Sequence, residues 1–297
     1  MKTFDKIPVF LHIPKAAGTY VQQVIFNYLI RITDNMPGYF RKITIENEDV
    51  NLTVYCNFLS DYWKSDPNMK RHPVSIARGV NNPRAGHTGV ETFKTYMKND
   101  QVDVMFCVVE PVTMISSTDN PPLDYRVGLF LVHELLNASN QQWSNFIILR
   151  DCFNRQQSLF NYINSASSKH EPSHGCIRSR SFNDYIMSNE IEDNWMIRAL
   201  TGAGKVDINE SWCDQACDLL DNHNFLINDI SKTDQTIDQI TYDHFTMPIE
   251  PQDRGNPHYN SSEYIKKIKY TDLSPEAKKT FDNTTQWDRK LYETHYR

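Results

Sequence analysis

The chain has 297 residues, a formal net charge of −6, 39% apolar residues and 23% charged ones, a composition that excludes a disordered or fibrous class and can bury a large core. The acidic balance argues against a general nucleic-acid or anionic-membrane binder, because each needs a basic face. No run of about 18 apolar residues occurs, and the opening MKTFDKIPVFLHIPK carries charges inside too short an apolar stretch for a signal peptide, so a cytoplasmic protein with no membrane partner is expected.

In chain order, Lys6 to Ile13 is a short apolar run bounded by Pro14 and reads as a buried strand. A helix opens at Thr19, with Val21, Val24, Ile25, Tyr28, Leu29 and Ile32 at the spacing of one face. Asp103 to Val109 is a second β-rich apolar run, and Tyr125 to Leu136 has helical periodicity. Asn145 to Leu149 reads as a strand ending in Arg150 and Asp151, and Cys152 to Ile163 as the helix after it. Ser181 to Gly202 and Trp212 to Asn222 are largely helical in pattern, so the second half is helix-rich. Pro248 to Asn260, with three prolines and Gly255, reads as an extended strap.

Alternating strands and helices imply an α/β fold. The expectation is a single domain over residues 1–297, with a central, mostly parallel sheet flanked by helices and ligands bound at the carboxyl ends of the strands. The six cysteines are scattered, without CxxC spacing, and read as reduced structural thiols. The histidines form no tight pairs with cysteines or carboxylates, so no metal site is expected.

Two segments at strand ends carry chemistry. His12-Ile-Pro-Lys-Ala-Ala-Gly-Thr-Tyr20 sets Lys15, Ala16, Ala17, Gly18, Thr19 and Tyr20 between a strand and a helix N-terminus. Free backbone N–H groups and the positive end of the helix dipole suit a phosphate there, and Lys15 adds a full charge. The loop is P-loop-like without being a Walker A motif, since Lys15 precedes the glycine rather than following it. The plainer alternative is that Gly18 and Thr19 only turn and cap the helix. In Leu149-Arg-Asp-Cys-Phe-Asn-Arg-Gln-Gln-Ser158, an arginine leaving a strand and a serine two helical turns on, Arg150 and Ser158, can converge on one phosphate. By itself that pair reads more readily as a solvated arginine and a helix serine.

HIPKAAGTY resembles the 5′-phosphosulfate loop of sulfotransferases that use 3′-phosphoadenosine 5′-phosphosulfate (PAPS), specifically the carbohydrate type, with Tyr20 where a small residue is usual. The Leu149–Tyr162 segment is similar to the same family's 3′-phosphate motif, with Cys152 in place of a common proline and Phe160 in place of a tyrosine. The resemblance implies that Arg150, Arg155 and Ser158 bind the 3′-phosphate. Asp193-Asn-Trp-Met-Ile-Arg-Ala-Leu-Thr-Gly202 resembles a further family segment and makes Arg198 another cofactor candidate, with Trp195, Ile197 and Leu200 assigned to the core. Arg254-Gly-Asn-Pro-His-Tyr and the helix through Trp287 to Tyr292 resemble the closing loop and terminal helix. Residues 90–145 have no counterpart and read as an insertion that could serve the acceptor.

What the resemblance implies is sulfuryl transfer from PAPS to a hydroxyl or an amine of a saccharide or small molecule, leaving adenosine 3′,5′-bisphosphate. Such transfer needs a base and charge neutralisation. Lys15 supplies the second. Arg84-Ala-Gly-His-Thr-Gly-Val90 resembles the family segment bearing a histidine base, which makes His87 the candidate. His133, Glu91 and Glu110 are its rivals, with His133 read as a core residue and His12 as orienting the loop. Two other functions stay open: a kinase-like phosphoryl-transfer enzyme, and a relative that binds a nucleotide or glycan without catalysis. The acceptor's identity and the oligomeric state are not legible.

Overall fold

A computed structural model describes residues 6–34, 36, 38–46, 50–59, 93–95, 97–99, 101–111, 124–137, 141–166, 181–188, 191, 193–245, 247–255 and 267–296. Strand β1 (Lys6–Leu11) leads through a loop into helix α1 (Gly18–Thr33). The chain then forms a hairpin of β2 (Tyr39–Glu46) and β3 (Val50–Phe58) and returns through β4 (Val102–Pro111) and α2 (Tyr125–Asn137). Next come β5 (Gln142–Leu149), α3 (Cys152–Ala166), α4 (Phe182–Met187), α5 (Trp195–Thr201), α6 (Glu210–Asn222) and β6 (Leu226–Asp229). Helices α7 (Thr233–His244), α8 (Pro251–Arg254) and α9 (Pro275–His295) complete the described order.

The architecture is α/β, as expected. The sheet runs β2-β3-β4-β1-β5-β6. The β4, β1, β5 and β6 strands are mutually parallel, while β3 pairs antiparallel with both β2 and β4, so the sheet is mixed. Residues 90–145 therefore contribute β4, which lies at the centre of the sheet beside β1. The Ser181–Gly202 stretch is two helices with a break rather than one long one. Among the described residues no helix is long and apolar enough to cross a membrane.

Alternation along the strands sends side chains to two unlike layers. On one face Phe10, Phe106, Phe146 and Tyr55 stack in series, and α1 joins them through Phe26. On the other, Val109 and Val50 meet α2 so closely that a Cβ on Gly128 would lie 2.2 Å from Val109 Cγ1. The connections after β1 and β4 thus leave on opposite faces. In a sheet of this kind such a divergence opens a crevice outside the carboxyl ends of the two strands.

Candidate functional site

The loop from His12 to Gly18 crosses that crevice, and its backbone is strained. Lys15 and Ala17 both lie in the left-handed region, at φ 67° and 61°, which costs a residue with a Cβ roughly 1–2 kcal/mol. Left-handed residues alternating with ordinary ones turn successive N–H groups toward one point, a concavity that suits an anion. Ala17 is the residue before α1 and gives it no side-chain cap, so the helix's first N–H groups are left to whatever binds there.

Gly18 is required by contact with His12. A Cβ at Gly18 would sit 1.8 Å from His12 Cδ2 and Nε2. The imidazole stacks on Phe10, and the His12 backbone is held by Tyr125, whose hydroxyl donates to the His12 carbonyl at 2.6 Å. His12 thus fills the space over Gly18 within the loop.

Arg150 leaves β5, the parallel neighbour of β1, and donates from Nη1 to the Lys15 carbonyl at 2.8 Å. Its Nε is buried and, among the described residues, has no hydrogen-bond partner. Lys15 Nζ lies 3.9 Å from the centre of the Tyr162 ring. Ser158 is one turn before Tyr162 on α3 and therefore shares the face that meets Lys15. Both cations have lowered pKa values. Burial, then the Arg150 charge, lowers the Lys15 pKa to about 8, and burial is also the leading cause of a lowered Arg150 pKa. Two partly buried cations and an orphaned N–H together fit an anionic group with several oxygens, such as a phosphate or phosphosulfate.

The remaining cations are placed differently. Arg155 is only 2% exposed; it packs 4.6 Å above the Trp195 ring and shares a charge interaction with the buried Asp288. Arg198 is engaged within its own segment, paired with Asp193 and donating to the Gly204 and Val206 carbonyls, so it braces the turn after α5. Tyr20 sends its hydroxyl away from the loop to Asp234 Oδ1, at 2.8 Å, leaving its backbone as its link to the anion concavity. Trp195, Ile197 and Leu200 are buried, in keeping with their reading as core.

On the β4 side of the crevice stands Glu110. Gln22 donates to its Oε2 at 2.9 Å, His12 Nδ1 lies 3.4 Å from the same oxygen, and Thr53 reaches Oε1 at 3.4 Å. Burial alone would raise its pKa, but the His12 and Gln22 contacts outweigh that and hold it below the usual range, so the group is a carboxylate at neutral pH. Its side chain keeps 24% exposure while that of His12 has 6%. His87 and Glu91 lie outside the described residues. His133 departs from its expected core position: it is exposed on α2, beside Asn137 and edge-on to Trp143, because it falls at the flank of the buried face formed by Gly128, Leu129, Val132 and Leu136 rather than at its centre.

Gln22 joins the candidate site without any signal in the sequence, since a glutamine on an amphipathic helix looks like an ordinary surface residue, whereas Tyr162 closes the segment that resembles the 3′-phosphate motif. Among the described residues no group of three or more His, Cys, Asp or Glu could hold a metal ion. The chain matches no protein-family model, no curated protein and no solved structure.

Proposed function

We propose that the chain is a sulfotransferase that takes the sulfuryl group from PAPS and passes it to a hydroxyl or amine. The observation that carries this reading is the meeting of Lys15 and Arg150, from the ends of adjacent parallel strands, beside a helix start with no side-chain cap. Bound there, PAPS supplies an activated sulfuryl group on a phosphate leaving group.

Each residue then has a definite part. The strained loop and the first turn of α1 direct N–H groups at the 5′-phosphosulfate, and Lys15 neutralises charge as it builds on the departing phosphate. Arg150, with its unused Nε, and Ser158 hold the 3′-phosphate. For the acceptor proton, Glu110 is the described candidate: it is ionised, partly open, and oriented by Gln22 and His12 at the end of the strand beside β1. His87 remains the alternative base. The acceptor lies over the β1–β4 crevice in this scheme, next to Glu110, and is a saccharide or a small molecule.

Calorimetry with adenosine 3′,5′-bisphosphate and with ATP tests the proposal. The bisphosphate should bind and ATP should bind weakly, because ATP has no 3′-phosphate for Arg150 and Ser158. Equal or tighter ATP binding would favour a phosphoryl-transfer enzyme. Tight bisphosphate binding without transfer of label from PAPS to any of a panel of saccharide, phenol and amine acceptors would favour the non-catalytic reading.

A further inference from the structure

We infer that Tyr20 is a positioning residue for the phosphate loop, acting through Asp234 and Arg254 rather than by touching a ligand. Its consequence for the donor rests on the sulfotransferase reading; its geometry does not.

Tyr20 is the third residue of α1, within the turn whose N–H groups face the anion concavity. The Asp234 oxygen that accepts from its hydroxyl also accepts from Arg254 Nη1, at 2.6 Å. Arg254 makes a second ion pair with Asp238, one turn further along α7. A single phenol thus joins the start of α1 to α7 and, through Arg254, to the strap that begins at Pro248.

The rest of the strap is fastened further down α1. Asn27 donates to the Asp253 carbonyl at 3.1 Å, Tyr28 donates to the Met247 carbonyl at 2.6 Å, and Arg31 donates to the Asp253 carboxylate at 2.7 Å and to the Pro248 carbonyl at 2.8 Å. Those bonds would keep the strap in place without Tyr20. What they leave unsupported is the first turn.

That turn needs support. It follows two left-handed residues with side chains, and such a backbone persists only where its surroundings over-determine it. His12 against Gly18 holds it from the sheet side, and Tyr20 on Asp234 holds it from the outside. Arg254 also cancels charge: Asp234 and Asp238 are 61% and 54% exposed, and without the guanidinium they would set two negative charges close to a site built for an anion.

The test combines amide hydrogen exchange over residues 16–22 of the ligand-free protein with calorimetric titration of adenosine 3′,5′-bisphosphate and steady-state kinetics with PAPS. Tyr20→Phe keeps the ring and removes the hydrogen bond. It should speed exchange within 16–22 while leaving 27–31 protected. It should also weaken the bisphosphate about threefold to tenfold, the value of one partly exposed hydrogen bond to a carboxylate, with the loss in the PAPS KM rather than in kcat. Asp234→Ala should reproduce both effects, and Asp234→Asn, which retains an acceptor oxygen, should restore most of the protection. Unchanged exchange in Tyr20→Phe would overturn the inference, and so would a lowered kcat at unchanged bisphosphate affinity, which would mean that Tyr20 meets the reacting group. A wild-type protein that binds no bisphosphate would instead remove the sulfotransferase reading, with the exchange result still deciding the coupling.

Discussion

Anion binding at Lys15 should take up a proton above pH 8. Burial first, and the Arg150 charge second, lower the Lys15 pKa from the ordinary 10.5 to about 8, a preference for the neutral amine of roughly 3 kcal/mol. The folded pKa is the lower one, so between about 8 and 10.5 the folded chain binds fewer protons than the unfolded chain. Its stability therefore rises with pH across that window, and the full penalty of the buried charge is present below it. A bound phosphate offsets that penalty and returns the pKa toward 10.5. At pH 9 the amine is then mostly neutral when free and mostly charged when bound, an uptake of about 0.9 proton, against about 0.1 at pH 7. Calorimetry of adenosine 3′,5′-bisphosphate in buffers of different ionisation enthalpy measures this directly. Lys15→Met, which keeps the stem and removes the charge, should abolish the uptake and stabilise the ligand-free protein at pH 7 by up to about 3 kcal/mol. Absence of uptake at pH 9, or its persistence in Lys15→Met, would refute the reasoning.

Three further changes have defined outcomes. Gly18→Ala forces a methyl group into the His12 ring, which stacks on Phe10 and lies beside Glu110; it should cost about 1–3 kcal/mol, read as a lower Tm with weakened bisphosphate binding. Glu110→Gln should cut turnover by about 10²- to 10⁴-fold while sparing bisphosphate affinity if Glu110 is the base, and the same loss in His87→Ala with an active Glu110→Gln would return that role to the histidine. Asp288→Ala removes the acceptor for the Met196 and Ile197 N–H groups in the interior; leaving those buried donors unpaired should cost about 1–3 kcal/mol each in urea denaturation.

The sequence by itself determined the two strand–loop–helix units and the polar residues at their turns. Apolar runs ending in Pro14 and Arg150, followed by one-sided helices, are local patterns, and local patterns need no partner elsewhere in the chain to be read. That is why Lys15, Gly18, Arg150 and Ser158 were legible together with the α/β class. The tertiary structure alone decided where each cation sits and what it contacts. Arg155 and Arg150 stand five residues apart in the sequence, yet one is packed over Trp195 beside Asp288 and the other opens on Lys15. Arg198 sits in a segment that resembles a cofactor motif, but its donors are taken by Asp193 and by carbonyls of the next turn. Glu110 was one of several rival bases until the β3–β4–β1 pairing and the packing of α1 brought Thr53, Gln22 and His12 around it. The physical reason is the same in each case: a charge's role depends on its burial and on the groups within hydrogen-bond reach, and those come from positions far apart in the chain, joined only when the strands choose their neighbours.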